Sequence, residues 1–259
     1  MDRERWSPSN IKEGGFPCPH CTVGSIHLDD KSVSQEETPA SKEGHGHPAW
    51  EPEWIEATFT CAFRCGNPNC KGVVFAIGKV SVSSWRTEDE EGTDESLTPQ
   101  YFTPPLRMIS VPSEASVAVR DDVDGAFALY WADPGAASNR IRAAAERLLT
   151  DLGVSRFVTS KSRKRRFLAL SERIHRLRDA RPEIASQLDA IKFVGNEGSH
   201  ARAVTREDVL DALEIFESVL DAIYVRNAER LSGIVKRINK RKKPRSVKRA
   251  RVRKNPWFD

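Results

Sequence analysis

Nothing in this chain limits its fold as tightly as its cysteines. Cys18-Pro-His-Cys21 offers two thiols from one tight turn, and Cys61-Ala-Phe-Arg-Cys65-Gly-Asn-Pro-Asn-Cys70 follows about 40 residues later. Asn67-Pro68 is turn-forming sequence, so Cys65 and Cys70 flank a second turn. Two turn-borne pairs supply the four soft ligands that tetrahedral zinc requires. The expected set is Cys18, Cys21, Cys65 and Cys70, holding one structural Zn2+. Cys61 is the substitute candidate. It alternates with Phe59 and Phe63 inside a strand-like run, and in place of Cys65 it would leave the second pair too widely spaced for one turn. Alternating runs at Thr22–Leu28, Trp54–Thr60 and Gly72–Ser83 are the strands of the hairpins such turns would close. A closed four-thiolate site builds structure and leaves no open position for catalysis. His20 sits between two ligands and is expected to point outward; His45 and His47 fall in EGHGHPAW, read as a solvated loop rather than a second metal site.

Charge divides the chain along its length. Residues 226–259 hold 14 Lys/Arg against Glu229 and Asp259, a net of +12, whereas the first 225 residues hold 27 basic and 35 acidic side chains, a net of −8. Lys236–Lys254 (KRINKRKKPRSVKRARVRK) has too few apolar residues for a core and is expected to be mostly disordered. Its cations Lys236, Arg237, Lys240, Arg241, Lys242, Lys243, Arg245, Lys248 and Arg249 suit phosphates, each contact releasing a counterion. The expected partner is therefore nucleic acid, RNA or DNA, bound without reading bases. Lys161–Arg166 (KSRKRR) adds a second basic patch. No run approaches the roughly 20 apolar residues of a membrane helix, and no membrane partner is expected. The N-terminal MDRERWSPSN lacks the apolar core of a signal peptide. With an odd number of cysteines as well, the chain reads as a cytoplasmic metal-binding protein and not as a disulfide framework.

Composition suggests four segments and an α+β fold. Residues 1–86 form the β zinc ribbon with its insertion. Residues 87–135 form a connector that opens on the acidic tract Glu88–Glu95, read as a solvated loop, and carries a short helical pattern at Asp121–Ala132. Residues 136–225 form a helical bundle, and 226–259 the basic tail. Within the bundle, Ile141, Ala145, Leu148, Leu149 and Leu152 share one helical stripe, ended by Gly153. Phe167, Leu170, Ile174 and Leu177 make a second stripe; Ile184, Leu188 and Ile191 a third, ended by Gly195. Val209, Leu213, Phe216, Leu220 and Ile223 make the fourth, and Thr205 and Asp208 are spaced to cap its start reciprocally. Four amphipathic helices with modest loops pack best as an antiparallel bundle.

WADPGAASNRIRAAAERLLTDLG from Trp131, FLALSERIHRL, and LDAIKFVGNEGSHARAVTREDVLDALEIFESVLDAIY up to Tyr224 resemble the bacterial domain of unknown function numbered four-one-four-five. With the CPHC ribbon included, the resemblance spans about residues 16–225. That family is similar to the HEPN superfamily of helical domains, many of which cleave RNA, and it occurs fused to restriction-type proteins. The resemblance implies a HEPN-like bundle, a link to restriction or phage defence, and a homodimer through the bundle. It further implies a site at a helix junction, with His200 moving a proton and Asn196 as the polar neighbour. The arginine expected just before Asn196 is replaced by Gly195, so Arg142, paired with Glu146 one turn on, or Lys192 would have to supply the cation. Three functions are compatible with these residues: a nucleic-acid-binding protein, a metal-independent RNase, and a protein–protein adaptor without catalysis.

Overall fold

The computed structural model describes residues 3–6, 11–13, 15–87, 89–159, 164–197 and 204–241. The fold is α+β, with an antiparallel sheet followed by helices. Six strands build the sheet: β1 (Phe16–Pro17), β2 (Ser25–Leu28), β3 (Ser34–Glu37), β4 (Ala57–Cys65), β5 (Val73–Arg86) and β6 (Glu91–Thr103). A short helix α1 (Pro39–Gly44) lies between β3 and β4. The order is β1-β2-β4-β5-β6, and β3 shares an edge of β4 with β2, β2 pairing with Phe63–Cys65 and β3 with Ala57–Thr60. Alternation decides the faces. Ala57, Phe59, Cys61 and Phe63 on β4 and Val74, Ala76 and Val80 on β5 are buried, whereas Thr58, Thr60, Phe75 and Ile77 are exposed.

The acidic tract is not a loop beyond residue 90. β6 begins at Glu91 and pairs with β5 down to Arg86↔Glu91, where the two side chains form an ion pair. Far from the core both faces of this two-stranded ribbon meet water, so Glu91, Asp94 and Glu95 report exposure and not backbone conformation. Closer to the core β6 turns apolar, burying Leu97 and Phe102.

The helices are α2 (Val117–Leu129), α3 (Pro134–Asp151), α4 (Leu170–Arg178), α5 (Pro182–Glu197), α6 (Arg206–Leu220) and α7 (Arg226–Arg241). Their ends follow from local chemistry. Asp133 accepts the Ala136 N–H (2.8 Å) ahead of Pro134. Gly153, at φ 79°, closes α3: its N–H reaches the Thr150 carbonyl and that of Val154 the Leu149 carbonyl, both at 2.9 Å. Thr205 and Asp208 cap each other's N–H groups at 3.2 and 2.8 Å, as their spacing predicts. α3 occupies the middle of the helical part and packs against α2, α5 and α6. The four apolar stripes are buried there, except for Phe167 and the half-buried Leu152.

Three expectations change in this half. Phe167 does not open a helix; it lies on a small hairpin of β7 (Phe157–Thr159) and β8 (Arg165–Phe167), which carries the second basic patch. Gly195 does not end its helix but sits inside the last turn of α5. The segment from Lys236 to Arg241 is helical, because Leu231, Ile234, Val235 and Ile238 recur at helical spacing among good helix formers. A π-turn, Asp221–Val225, links α6 to α7.

Sheet and helices share one core. Phe16, Phe63 and Phe102 from the sheet meet Trp131 and Tyr130 from the end of α2, with ring centroids 5.0–6.1 Å apart. The Tyr130 hydroxyl donates to the Trp6 carbonyl (2.9 Å), and Arg206 both stacks over Trp131 and donates to its carbonyl (2.9 Å). Arg3 reaches across to Asp211 and Glu214 on α6.

Candidate metal centre and basic surfaces

Two adjacent turns build the cysteine site. The first joins β1 to β2 and carries Cys18 and Cys21; the second joins β4 to β5 and carries Cys65 and Cys70. The pairing of β2 with β4 sets them side by side, Ile26 opposite Cys65, and the Gly66 N–H bridges them to the Ser25 carbonyl (2.9 Å). The two turns share a backbone solution. Thr22 (φ 58°) and Lys71 (φ 52°), each directly after the second cysteine of its pair, adopt the left-handed conformation that turns the chain back. Gly24 and Gly72 follow, and there any side chain would collide with the site. A Cβ on Gly24 would lie 2.7 Å from the Cys65 Sγ, and one on Gly72 2.5 Å from the His20 ring and 3.2 Å from the Cys70 Sγ.

All four sulfurs lie within 4.8 Å of one another. The Cys18–Cys70 and Cys21–Cys65 separations are both 3.8 Å. A regular tetrahedron with Zn–S bonds of about 2.3 Å has an edge of about 3.8 Å, so the donor set fits such an ion. N–H groups aim at the sulfurs, from Gly24 to Cys21 and from Asn67 to Cys65, each at 3.4 Å. The bonds from Gly24 and Val23 draw the Cys21 thiol down to about 6. The Asn67 bond favours ionised Cys65, yet burial and the three neighbouring thiols push it up to about 12. Four thiolates this close need a cation to ionise together, which a closed metal site supplies. His20 is exposed and its Nε2 meets the Val73 carbonyl at 3.0 Å, tying the first turn to β5.

Cys61 takes no part in the cluster. It is buried in β4, and burial raises its thiol to about 11. Among the described residues the four cysteines are the one group of metal-ready side chains. His45 meets Glu37 (2.7 Å) and stacks on Trp50, while His47 stacks on Trp54.

At the junction proposed from the helices, His200 lies outside the described residues. Arg142 is half-buried, donating to Glu146 (2.6 Å) and Asn139 (3.1 Å). Gly195 presses against it, since a Cβ there would come within 2.6 Å of the Arg142 Cβ. The glycine standing where an arginine was expected is thus the contact that lets α5 approach α3. Asn196, next in the chain, is exposed. Lys192 is elsewhere engaged, paired with Asp189 (2.7 Å) and lying over Phe193. Gly195→Ala is expected to lower stability by about 1–3 kcal/mol through this overlap, measured as a drop in the urea midpoint.

Cationic groups gather on two surfaces. On the β7–β8 hairpin Arg156, Lys164, Arg165 and Arg166 are all exposed. Arg165 lies 3.9 Å from the Phe157 ring centroid, Arg156 5.5 Å from that of exposed Phe167, and the two rings meet edge-on. Arg166 grips Glu172 of α4 through two bonds of 2.8 and 2.9 Å, holding that carboxyl down to about 2 and fixing the hairpin to the helix. His175 and Arg176 continue the surface along α4. On α7, Lys236, Arg237 and Lys240 are exposed, and Arg241 closes the helix. Lys242, Lys243, Arg245, Lys248 and Arg249 lie outside the described residues. Sequence reasoning found the KSRKRR patch but missed its hairpin, whose signal was the Phe157-Val158-Thr159 run followed, after a polar stretch of sequence, by Phe167.

No helix among the described residues is long and apolar enough to cross a membrane. No curated protein and no solved structure matches the chain. Residues 9–106 match the family described as Domain of unknown function (DUF8608). Residues 124–241 match Domain of unknown function (DUF4145), the family that the helical sequence resembles, so the cysteine-bearing sheet and the helices are similar to two separate families joined in one chain.

Proposed function

We propose that this protein binds single-stranded nucleic acid through the β7–β8 hairpin and α7, while a zinc-ribbon-like sheet holds a structural Zn2+ at Cys18, Cys21, Cys65 and Cys70. The observation that carries the proposal is the arginine–phenylalanine layering of the hairpin, where guanidinium groups lie over two rings on an exposed surface. Cations can neutralise phosphates while rings and guanidinium planes stack on bases, a combination that tolerates any sequence. A closed thiolate cluster suits a structural metal, which leaves recognition to the helical half in this reading. Replacing Lys164 and Arg165 together by alanine is expected to weaken binding of a labelled 20-nucleotide RNA about ten-fold or more in a gel-shift titration, with unlabelled DNA competitor deciding between the two nucleic acids. Unchanged affinity would overturn the hairpin's role.

A second reading, a metal-independent RNase in a HEPN-like bundle, is favoured by one contact: α5 brings Gly195, next to Asn196 in the chain, against Arg142, which is itself paired with Glu146. His200 would then move the proton of the attacking 2′-hydroxyl. The same incubations decide it. RNA cut by the wild type and spared by His200→Ala, in chelator as in Mg2+, establishes the nuclease; intact RNA with both leaves the binding reading alone.

A further inference from the structure

α7 carries an apolar seam that the described residues of the body leave exposed. Leu231, Val235 and Ile238 are exposed at 55, 53 and 59%, and Ile234 beside them is half-buried. The positions 231, 234/235 and 238 repeat as the seam of a two-stranded coiled coil does. Among the described residues no helix or strand of the body packs extensively along α7, which follows the π-turn off the end of α6. A 16-residue helix with no partner is marginal in water.

We propose that the seam is covered by α7 of a second copy of this chain, running antiparallel. The arrangement of residues along the helix is self-complementary in that direction. With Ile234 opposite Val235 at the dyad, Leu231 faces Ile238, and both ends of the seam close with like-sized aliphatic groups. Ser232 then falls opposite Arg237 and Gly233 opposite Lys236. The cations of the seam region, Lys236, Arg237 and Lys240, all lie after Val235, and residues 231–235 carry none. Antiparallel pairing therefore sets Lys236 and Arg237 against uncharged residues, Lys240 against Glu229 and Arg230 against Asn239, whereas parallel pairing would stack cation on cation. An anionic bilayer would accept the same seam and charges, but it would not select this division between the halves. The proposal shares α7 with the nucleic-acid reading but not its contacts, because the seam is aliphatic and offers nothing to phosphates or bases.

Sedimentation velocity on the full chain over a hundred-fold concentration range is expected to show a monomer–dimer equilibrium. Leu231→Glu with Ile238→Glu should weaken association about ten-fold or more while bound metal stays constant, the latter showing that the fold survives. Direction is read by mild oxidation of single cysteine variants. Ile234→Cys should cross-link across the dyad. Leu231→Cys should not, because antiparallel copies place those residues about 10 Å apart along the axis, beyond disulfide reach. A monomer at every concentration, a dimer indifferent to the two glutamates, or cross-linking of Leu231→Cys would each overturn the proposal. So would a monomer that instead sediments with phosphatidylserine vesicles. RNA affinity of the Lys164→Ala/Arg165→Ala variant, whose α7 is intact, reports separately on the hairpin.

Discussion

Cys21→Ser is expected to abolish metal binding and unravel the end of the sheet that β1, β2 and the two cysteine turns compose. Binding of Zn2+ to such sites contributes about 10–16 kcal/mol at neutral pH, more than a small domain's whole stability. Backbone bonds such as Cys18 N–H to the Gly24 carbonyl (2.8 Å) and Cys65 N–H to the Gly72 carbonyl (2.9 Å) close each turn, but no apolar core lies between the sulfurs. Thr22 and Lys71 are left-handed without being glycine, and the sulfurs sit 3.8 Å apart. Serine at Cys18, Cys65 or Cys70 should act alike. Cys61→Ser should keep one metal per chain and cost only about 1–2 kcal/mol, as a buried thiol replaced by a hydroxyl. Elemental analysis of purified variants, with denaturation before and after chelation, distinguishes these outcomes. Metal retained in Cys21→Ser and lost in Cys61→Ser would reverse the ligand assignment.

Arg173→Met is expected to lower stability by about 3 kcal/mol, although it exchanges a charge for an apolar side chain of similar length. Arg173 is 1% exposed and its guanidinium serves the end of α3. It donates to the Glu146 carbonyl (2.9 Å), the Thr150 hydroxyl (2.8 Å) and the Val154 carbonyl (3.0 Å). Burial lowers its pKa, and the negative end of the helix dipole compensates by favouring a cation there. Methionine would fill the volume but strand those acceptors in a dry interface. Arg173→Lys should recover only part of the loss, because one ammonium cannot span three acceptors in the geometry of a planar fork. Urea denaturation of the three proteins provides the comparison, and equal midpoints would remove Arg173 as the tie between α4 and α3.

Where spacing alone carries the chemistry, the sequence was legible. The four cysteines, the Thr205/Asp208 cap and the Gly153 stop are each fixed by two or three neighbouring residues, and each stands where its spacing puts it. Reading failed where composition stood in for conformation. The acidic residues of β6 and the cationic residues of α7 describe solvent exposure, which strands, helices and loops share; on α7 the recurrence at 231, 234, 235 and 238 held the conformational signal, whereas on β6 Leu97 and Phe102 differ in parity and both become buried only across the register shift opposite Ile77 and Gly78. Gly195 was ambiguous for another reason. A glycine near a helix end reads as a stop, and only the approach of α3 reveals that it makes room for Arg142. Arg173, one of five arginines between Arg163 and Arg176, carries no local sign of burial.

The most direct test of the proposed nucleic-acid interface is the salt dependence of RNA affinity. The exposed cations Arg156, Lys164, Arg165, Lys236, Arg237 and Lys240 would displace counterions from six phosphates if all engage a strand. For single strands a plot of log affinity against log salt concentration should then fall with a slope of about −4 or steeper. The Lys164→Ala/Arg165→Ala double variant should flatten the slope by about one unit or more. An affinity indifferent to salt, or no binding at 50 mM salt, would contradict the account.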